Sequence, residues 1–196
     1  MLTLYEKLCL SYDLFMSGTL ESHYGSEGIV DRIVDALDEA GTDVSSLTPD
    51  SFAGADEFHI GGRKGSEIVA DLLNIEEGRR IIDLGCGIGG PARFLARTKG
   101  IHVTGIDLTP EFVEAASALT QLVGMSDKVD FHEGSATNIP FGDDSFDAAT
   151  MIHVGMNIAD KALIITISIL LISLFPPMLY VSPIFPLLST VEIALQ

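Results

Sequence analysis

Cysteine, basic side chains and a leader-like start are what this sequence has least of. Two cysteines in 196 residues, Cys9 and Cys86, cannot build a disulfide framework. Met1 to Leu10 carries Glu6 and Lys7 without the basic and then apolar run of a signal peptide, so a reducing, cytoplasmic setting is expected. Eleven Lys and Arg stand against 28 Asp and Glu, a formal net charge of −17. Phosphate binding is driven by Lys and Arg displacing counterions, so this balance opposes nucleic acid or an anionic membrane surface as main partner. Small-molecule chemistry is the expectation left. What is present is a composition 47% hydrophobic, enough for one domain with a real core.

Basic residues also run out along the chain. All eleven fall at or before Lys161, and from Ala162 onward Glu192 is the sole charged side chain. The charge-free run Ala162 to Phe175 is shorter than the roughly 20 residues of a spanning helix, and Pro176-Pro177 would stop or kink it. Residues 162–188 are therefore a weak membrane candidate, the alternative to a cytoplasmic placement.

Before the break, the pattern alternates. Leu2 to Phe15 reads as a first helix. Glu27 to Ala40 reads as a second, because Ile29, Val30, Ile33, Val34 and Leu37 recur at helical spacing and Gly41 supplies a stop. Thr42 to Gly62 is a loop of Gly, Ser, Asp and Thr ending in DEFHIGG, and Ser66 to Asn74 repeats the helical period. Arg80 to Leu84 is then a short apolar strand, Pro91 to Arg97 a helix, and His102 to Ile106 a second strand. Thr109 stands as an N-cap before Pro110, opening a helix over Glu111 to Val123. Lys128 to His132 and Phe146 to Ile152 make strands three and four. Strands separated by helices imply right-handed crossovers, so the expected class is α/β, a doubly wound parallel sheet.

Between the first strand and its helix lies Asp83-Leu84-Gly85-Cys86-Gly87-Ile88-Gly89-Gly90. Glycines there let the backbone approach a ligand, and the helix N-terminus offers free N–H groups. Gly85, Gly87 and Gly90 also fit the dinucleotide pattern G-x-G-x-x-G, so the glycines alone do not separate a nicotinamide cofactor from another nucleoside one. Asp83 shifts the balance, since a carboxylate beside a pyrophosphate would repel it but would attract an ammonium group. Asp107, ending the second strand, suits both ribose hydroxyls of either cofactor.

Three motifs carry a resemblance: IIDLGCGIGGPARFLA, VTGIDLTPEFVEAA and VDFHEGSATNIPFGDDSFDAATMIHVGMNI, from about Arg80 to Ile158. In order and spacing they resemble class I S-adenosylmethionine-dependent methyltransferases of the methyltransferase type 11 group. The ubiquinone/menaquinone C-methyltransferases and sarcosine/dimethylglycine N-methyltransferases look nearest. The resemblance implies a Rossmann-like fold, S-adenosyl-L-methionine as cofactor and a small-molecule methyl acceptor. It implies that Asp83, Gly85, Gly87 and Gly89 surround the methionine part, with Cys86 a small residue between two glycines. Asp107 would hold the ribose and Leu108 pack on the adenine. Relatives place an acid on the adenine amino group after strand three; here Ser135 replaces it, beside Ala136, leaving a hydroxyl and backbone groups for that edge.

His153 follows strand four at the usual cofactor edge and is the candidate base or substrate contact for a hydroxyl or carbon acceptor, with plain packing or cofactor lining as the alternative. His59, in DEFHIGG, falls in a segment resembling the one that closes over the cofactor in relatives, with a solvated loop as the alternative. His23, His102 and His132 show no ligand spacing, so no metal site is expected. The chain divides on this reading into a helical cap and lid loop (1–62), a partial cofactor-binding core (63–161) and an atypical apolar tail (162–196).

After Asp160-Lys161-Ala162 the resemblance stops. Relatives continue with a charged helix, a Pro-Gly-Gly turn and three further strands, whereas this chain has an apolar tail without glycine. The expectation is a sheet lacking its C-terminal strands, with strand four left as an exposed edge. Two functions follow: a methyltransferase acting on a small molecule, or a truncated and catalytically silent cofactor-binding fragment. Acceptor identity and oligomeric state are not legible.

Overall fold

The computed structural model describes residues 26–57, 59, 61–160, 162 and 178–181. The expected helix over Leu2 to Phe15 lies outside them. Helix α1 spans Ser26–Glu39 and α2 spans Gly62–Leu72. Strand β1 (Arg80–Leu84), helix α3 (Gly90–Lys99), strand β2 (His102–Asp107), helix α4 (Pro110–Leu122) and strand β3 (Val129–Glu133) then alternate. Strands β4 (Ala148–Ile152) and β5 (Met178–Val181) follow. All neighbours pair parallel, in the order β3-β2-β1-β4-β5.

Parallel strands are buried on both faces, and β1 shows it: Ile81, Ile82, Asp83 and Leu84 are all buried. One face, with Ile81, Val103, Val129 and Ala148, packs on Val69 and Leu73 from around α2 and on Phe94 and Leu95 of α3. The other, with Ile82, Leu84, Ile106, Ala149 and Met151, is met by Ala136, Ile139, Phe141 and Phe146 from the loop before β4. A third cluster joins Ile29, Ile33 and Leu37 of α1, with Phe52 and Ala55, to Ile88 and to Ala115 and Leu119 of α4. Through it the segment before the sheet reaches the glycine turn.

The structure departs from expectation at three places. Helix α2 begins at Gly62, inside the stretch read as loop, because Gly61 takes a left-handed conformation and starts the helix early. Thr109 sits at the N-cap of α4 but its side chain makes no capping bond; Asp107 Oδ1 accepts the Thr109 N–H instead, at 3.0 Å. Strand β4 is no sheet edge, since β5 from the apolar tail pairs with it from Ala149↔Met178 to Ile152↔Val181. Parallel neighbours need a crossover of a dozen or more residues, and residues 153–177 supply that length before Met-Leu-Tyr-Val, a run of strand-forming types. Among the described residues no helix is long and apolar enough to cross a membrane.

Candidate functional site

The chain runs from β1 outward to β2 and β3, then returns to place β4 and β5 on the other side of β1. The direction reverses between β1 and β4, and in open α/β sheets ligands bind outside the carboxyl ends of strands at that switch point. The glycine turn leaves β1 there, and His153 leaves β4 there.

Gly85 opens the turn at φ +76°, and a Cβ on it would strike Val154 at 2.5 Å, so this position needs glycine for both conformation and space. Its amide and that of Cys86 donate to the Ile106 carbonyl at 2.8 and 3.0 Å, pinning the turn to β2. Gly87, at φ +54°, is the contrast: a Cβ there would meet nothing within 4 Å. The turn is open on that side.

Asp107 closes the turn from behind. Its Oδ2 accepts the Gly87 N–H at 2.9 Å while Oδ1 accepts Thr109 N–H. Each carboxylate oxygen keeps a further lone pair for a ligand hydroxyl. Leu108, next in the chain, is 70% exposed, an apolar side chain with space for a flat ring upon it. Asp83 is buried, and its Oδ1 accepts from Thr150 Oγ1 at 2.8 Å. Burial pushes its carboxyl up to about 6, with the Thr150 bond opposing and the nearby Asp107 charge adding. The two acids are near enough for the Asp107 charge to act on Asp83, and such a pair favours a cation nearby.

The other expected residues stand differently. Cys86 points into the sheet, its Sγ 2.8 Å from where a Cβ on Gly105 would stand, and burial raises its thiol far beyond reactivity. With its amide spent on Ile106, neither group faces a ligand. Gly89 begins α3 in a left-handed conformation, as its N-cap. Ser135 Oγ engages Thr137 at 2.8 Å and accepts the Thr137 N–H at 3.2 Å, while Ala136 packs into the second core face. Gly134 N–H donates to the Asp107 carbonyl at 2.9 Å, so this loop stays beside the strand-end acid. His153 holds φ +61°, rare for a residue with a Cβ, and its buried Nδ1 has no hydrogen-bond partner among the described residues.

His59 is no solvated side chain. It is 7% exposed, 3.2 Å from Ser66 Oγ, in a cluster where Ser66 donates to Glu57 at 3.0 Å and Arg63 pairs with Glu57 at 3.0 Å. The sequence reading missed this cluster and the buried Arg93–Asp56 pair at 2.8 Å. The signal was present: Arg93 stands in Pro91-Ala92-Arg93-Phe94-Leu95, and a cation in an apolar run demands an acid.

Residues 81–168 match the family model described as a methyltransferase domain, a match that runs past Lys161 into the first residues of the apolar tail. The chain is 48% identical over 85 residues to methyltransferase phqN of Penicillium fellutanum, covering 43% of this chain and 26% of that protein. It is 36% identical over 102 residues to sterol 24-C-methyltransferase ERG6B of Gibberella zeae, covering 52% and 27%. It spans about a quarter of the length of these curated relatives. Among solved structures it resembles a S-adenosylmethionine-dependent methyltransferase from Thiobacillus denitrificans in complex with S-adenosyl-L-homocysteine. That likeness has a TM-score of 0.56 and 26% identity, over 64% of this chain and 51% of that one. Sequence match and sheet topology agree, and residues 81–168 match a methyltransferase domain and resemble the class I S-adenosylmethionine-dependent methyltransferases.

Proposed function

We propose that this chain binds S-adenosyl-L-methionine and transfers its methyl group to a small-molecule acceptor. The observation that carries the reading is the Asp107–Gly87 contact at the switch point, with the open side of the turn and the exposed Leu108 beside it. The residues fit the cofactor: a buried Asp83 for a cationic methionine part, Asp107 for ribose hydroxyls, Leu108 for the adenine face. The loop at Ser135 and Ala136 stands by its edge. When bound, the cofactor supplies an electrophilic methyl on a sulfonium.

The chain's own part is positioning and exclusion of water, which can supply most of the rate for such a transfer. Asp83 and Asp107 orient the two ends of the ligand. His153, half-buried where β4 ends at the switch point, is the residue able to take a proton from a hydroxyl or carbon acid. A neutral amine needs no such base. Backbone strain held at a strand end beside a ligand crevice supports a working role for His153. The acidic balance of the chain and the relatives' names support a small-molecule acceptor, and amine, quinone-like ring and sterol-like acceptors all fit.

The test is transfer of a radiolabelled methyl group from the cofactor to a panel of such acceptors. The reading expects label in one class, lost on Asp107→Ala. No transfer to any acceptor by a folded chain that binds S-adenosylhomocysteine would leave a silent cofactor-binding protein instead.

A further inference from the structure

Arg93 lies in the first turn of α3, 1% exposed, and nothing in the proposed chemistry uses it. A guanidinium survives such burial when its donors are filled; here Nη1 and Nη2 are filled, while Nε has no partner among the described residues. Nη1 donates to α4, to Ala116 O at 3.2 Å and Thr120 Oγ1 at 2.9 Å. Nη2 donates to two other parts of the molecule at once, Asp56 Oδ2 at 2.8 Å and the Ile88 carbonyl at 2.7 Å. One nitrogen thus joins the segment before α2 to the middle of the glycine turn.

Two further contacts press the same surfaces together. A Cβ on Gly90 would collide with the Asp56 backbone carbonyl, so chain and turn touch with no side chain between them. The Ile88 side chain packs in one cluster with Phe52 and Ala55. Asp107 holds the turn at Gly87 N–H from one side, and Arg93 holds it at the next residue's carbonyl from the other.

We propose that Arg93 and Asp56 are positioning residues for the cofactor: the Nη2 bridge fixes the Ile88 carbonyl and docks the segment around Asp56 onto the turn as one unit. The inference rests on the reading of the turn as the cofactor site. Breaking the bridge lowers the fraction of molecules whose turn is in the binding form, and apparent affinity falls by that fraction. A tenth of the population left competent gives about a tenfold rise in dissociation constant. At saturating cofactor the turnover number stays near wild type, because neither residue touches reacting atoms.

The experiment compares Asp56→Asn, Arg93→Lys and Thr120→Val in the full chain. Titration with S-adenosylhomocysteine, thermal unfolding, and hydrogen exchange of the Gly85 to Gly90 amides without ligand are measured on each. Asp56→Asn keeps size and a neutral acceptor, and Arg93→Lys keeps the charge but loses the fork. Thr120→Val removes a bond from the far side of the same guanidinium, leaving Nη1 its Ala116 carbonyl. The first two variants should bind about tenfold more weakly and exchange faster across the turn. Thr120→Val should lose stability but keep its affinity within about twofold and its turn exchange unchanged. Equal effects of all three on affinity and exchange, or variants that lower stability alone, overturn the proposal. A wild-type chain that fails to bind S-adenosylhomocysteine overturns the cofactor reading instead, and turn exchange in the ligand-free variants still decides the bridge.

Discussion

Asp107 Oδ2 accepts the backbone N–H of Gly87 at 2.9 Å, so the acid at the end of β2 sets the shape of the turn at the end of β1. The two strands are neighbours in register, with Leu84 opposite Ile106, which brings the acid within reach. On the proposed function this one carboxylate has two tasks, shaping the turn and receiving the hydroxyls of the cofactor's ribose.

Removing that carboxylate acts on both. Two charge-assisted bonds to a ligand, worth about 1.5 kcal/mol each, correspond to roughly a hundredfold in affinity. Asp107→Ala is expected to weaken S-adenosylhomocysteine binding by at least that, and to speed exchange at Gly87 and Thr109, whose acceptor is lost. Asp107→Asn, which keeps one acceptor, should fall between.

Asp83 makes stability depend on pH in an unusual direction. Its folded carboxyl is raised from 3.8 to about 6, so between these values the folded protein binds more protons than the unfolded chain. Its contribution is present below about pH 3.8 and is lost as pH rises through about 6. Glu57, raised from 4.5 to about 7 by burial against the opposing Arg63 charge, acts in the same sense over its own window. Asp83→Asn, still able to pair with Thr150, should melt higher than wild type at pH 7.5. That advantage should shrink towards pH 4, while S-adenosylhomocysteine affinity drops throughout. Parallel melting curves across pH would show that Asp83 is not held high.

Gly85→Ala tests the turn without touching any charge. A left-handed alanine costs about 1–2 kcal/mol. Overpacking against Val154 adds about 1–3 kcal/mol. Thermal unfolding should show the sum, and titration should show binding lost. Gly87→Ala, with open space around its Cβ, should melt closer to wild type yet still bind poorly, since the methyl group would occupy the ligand's side.

His153→Gly should relieve the left-handed strain and raise stability by up to about 1 kcal/mol. Affinity for S-adenosylhomocysteine should hold within about twofold. Turnover should fall about a hundredfold or more for a hydroxyl or carbon acceptor, the usual worth of a general base, and little for an amine. Unchanged turnover with every acceptor would make His153 a packing residue.

The alternation of strands and helices from Arg80 to Ile152 was legible because each element is short, apolar at the right period and bounded by Gly or Pro. Asp83, Gly85, Gly87 and Asp107 were legible because their spacing along the chain reflects neighbouring strand ends. Strand β5 was not: Met178 to Val181 lies in a tail with no polar alternation to mark its bounds. The spent amide and inward thiol of Cys86, and the local Ser135–Thr137 bond, depend on side-chain directions that spacing does not encode. Arg93 and Asp56 are 37 residues apart and were missed because the acid falls in a stretch that reads only as a loop of Gly, Ser, Asp and Thr.

The most direct measurement is calorimetric titration of S-adenosylhomocysteine into the full-length chain, with Asp107→Ala alongside. Micromolar binding by the wild type, lost in the variant, is the result expected of a turn that holds the cofactor with Asp107 behind it. A folded wild-type chain that takes up no ligand, or a variant that binds equally well, would contradict that claim.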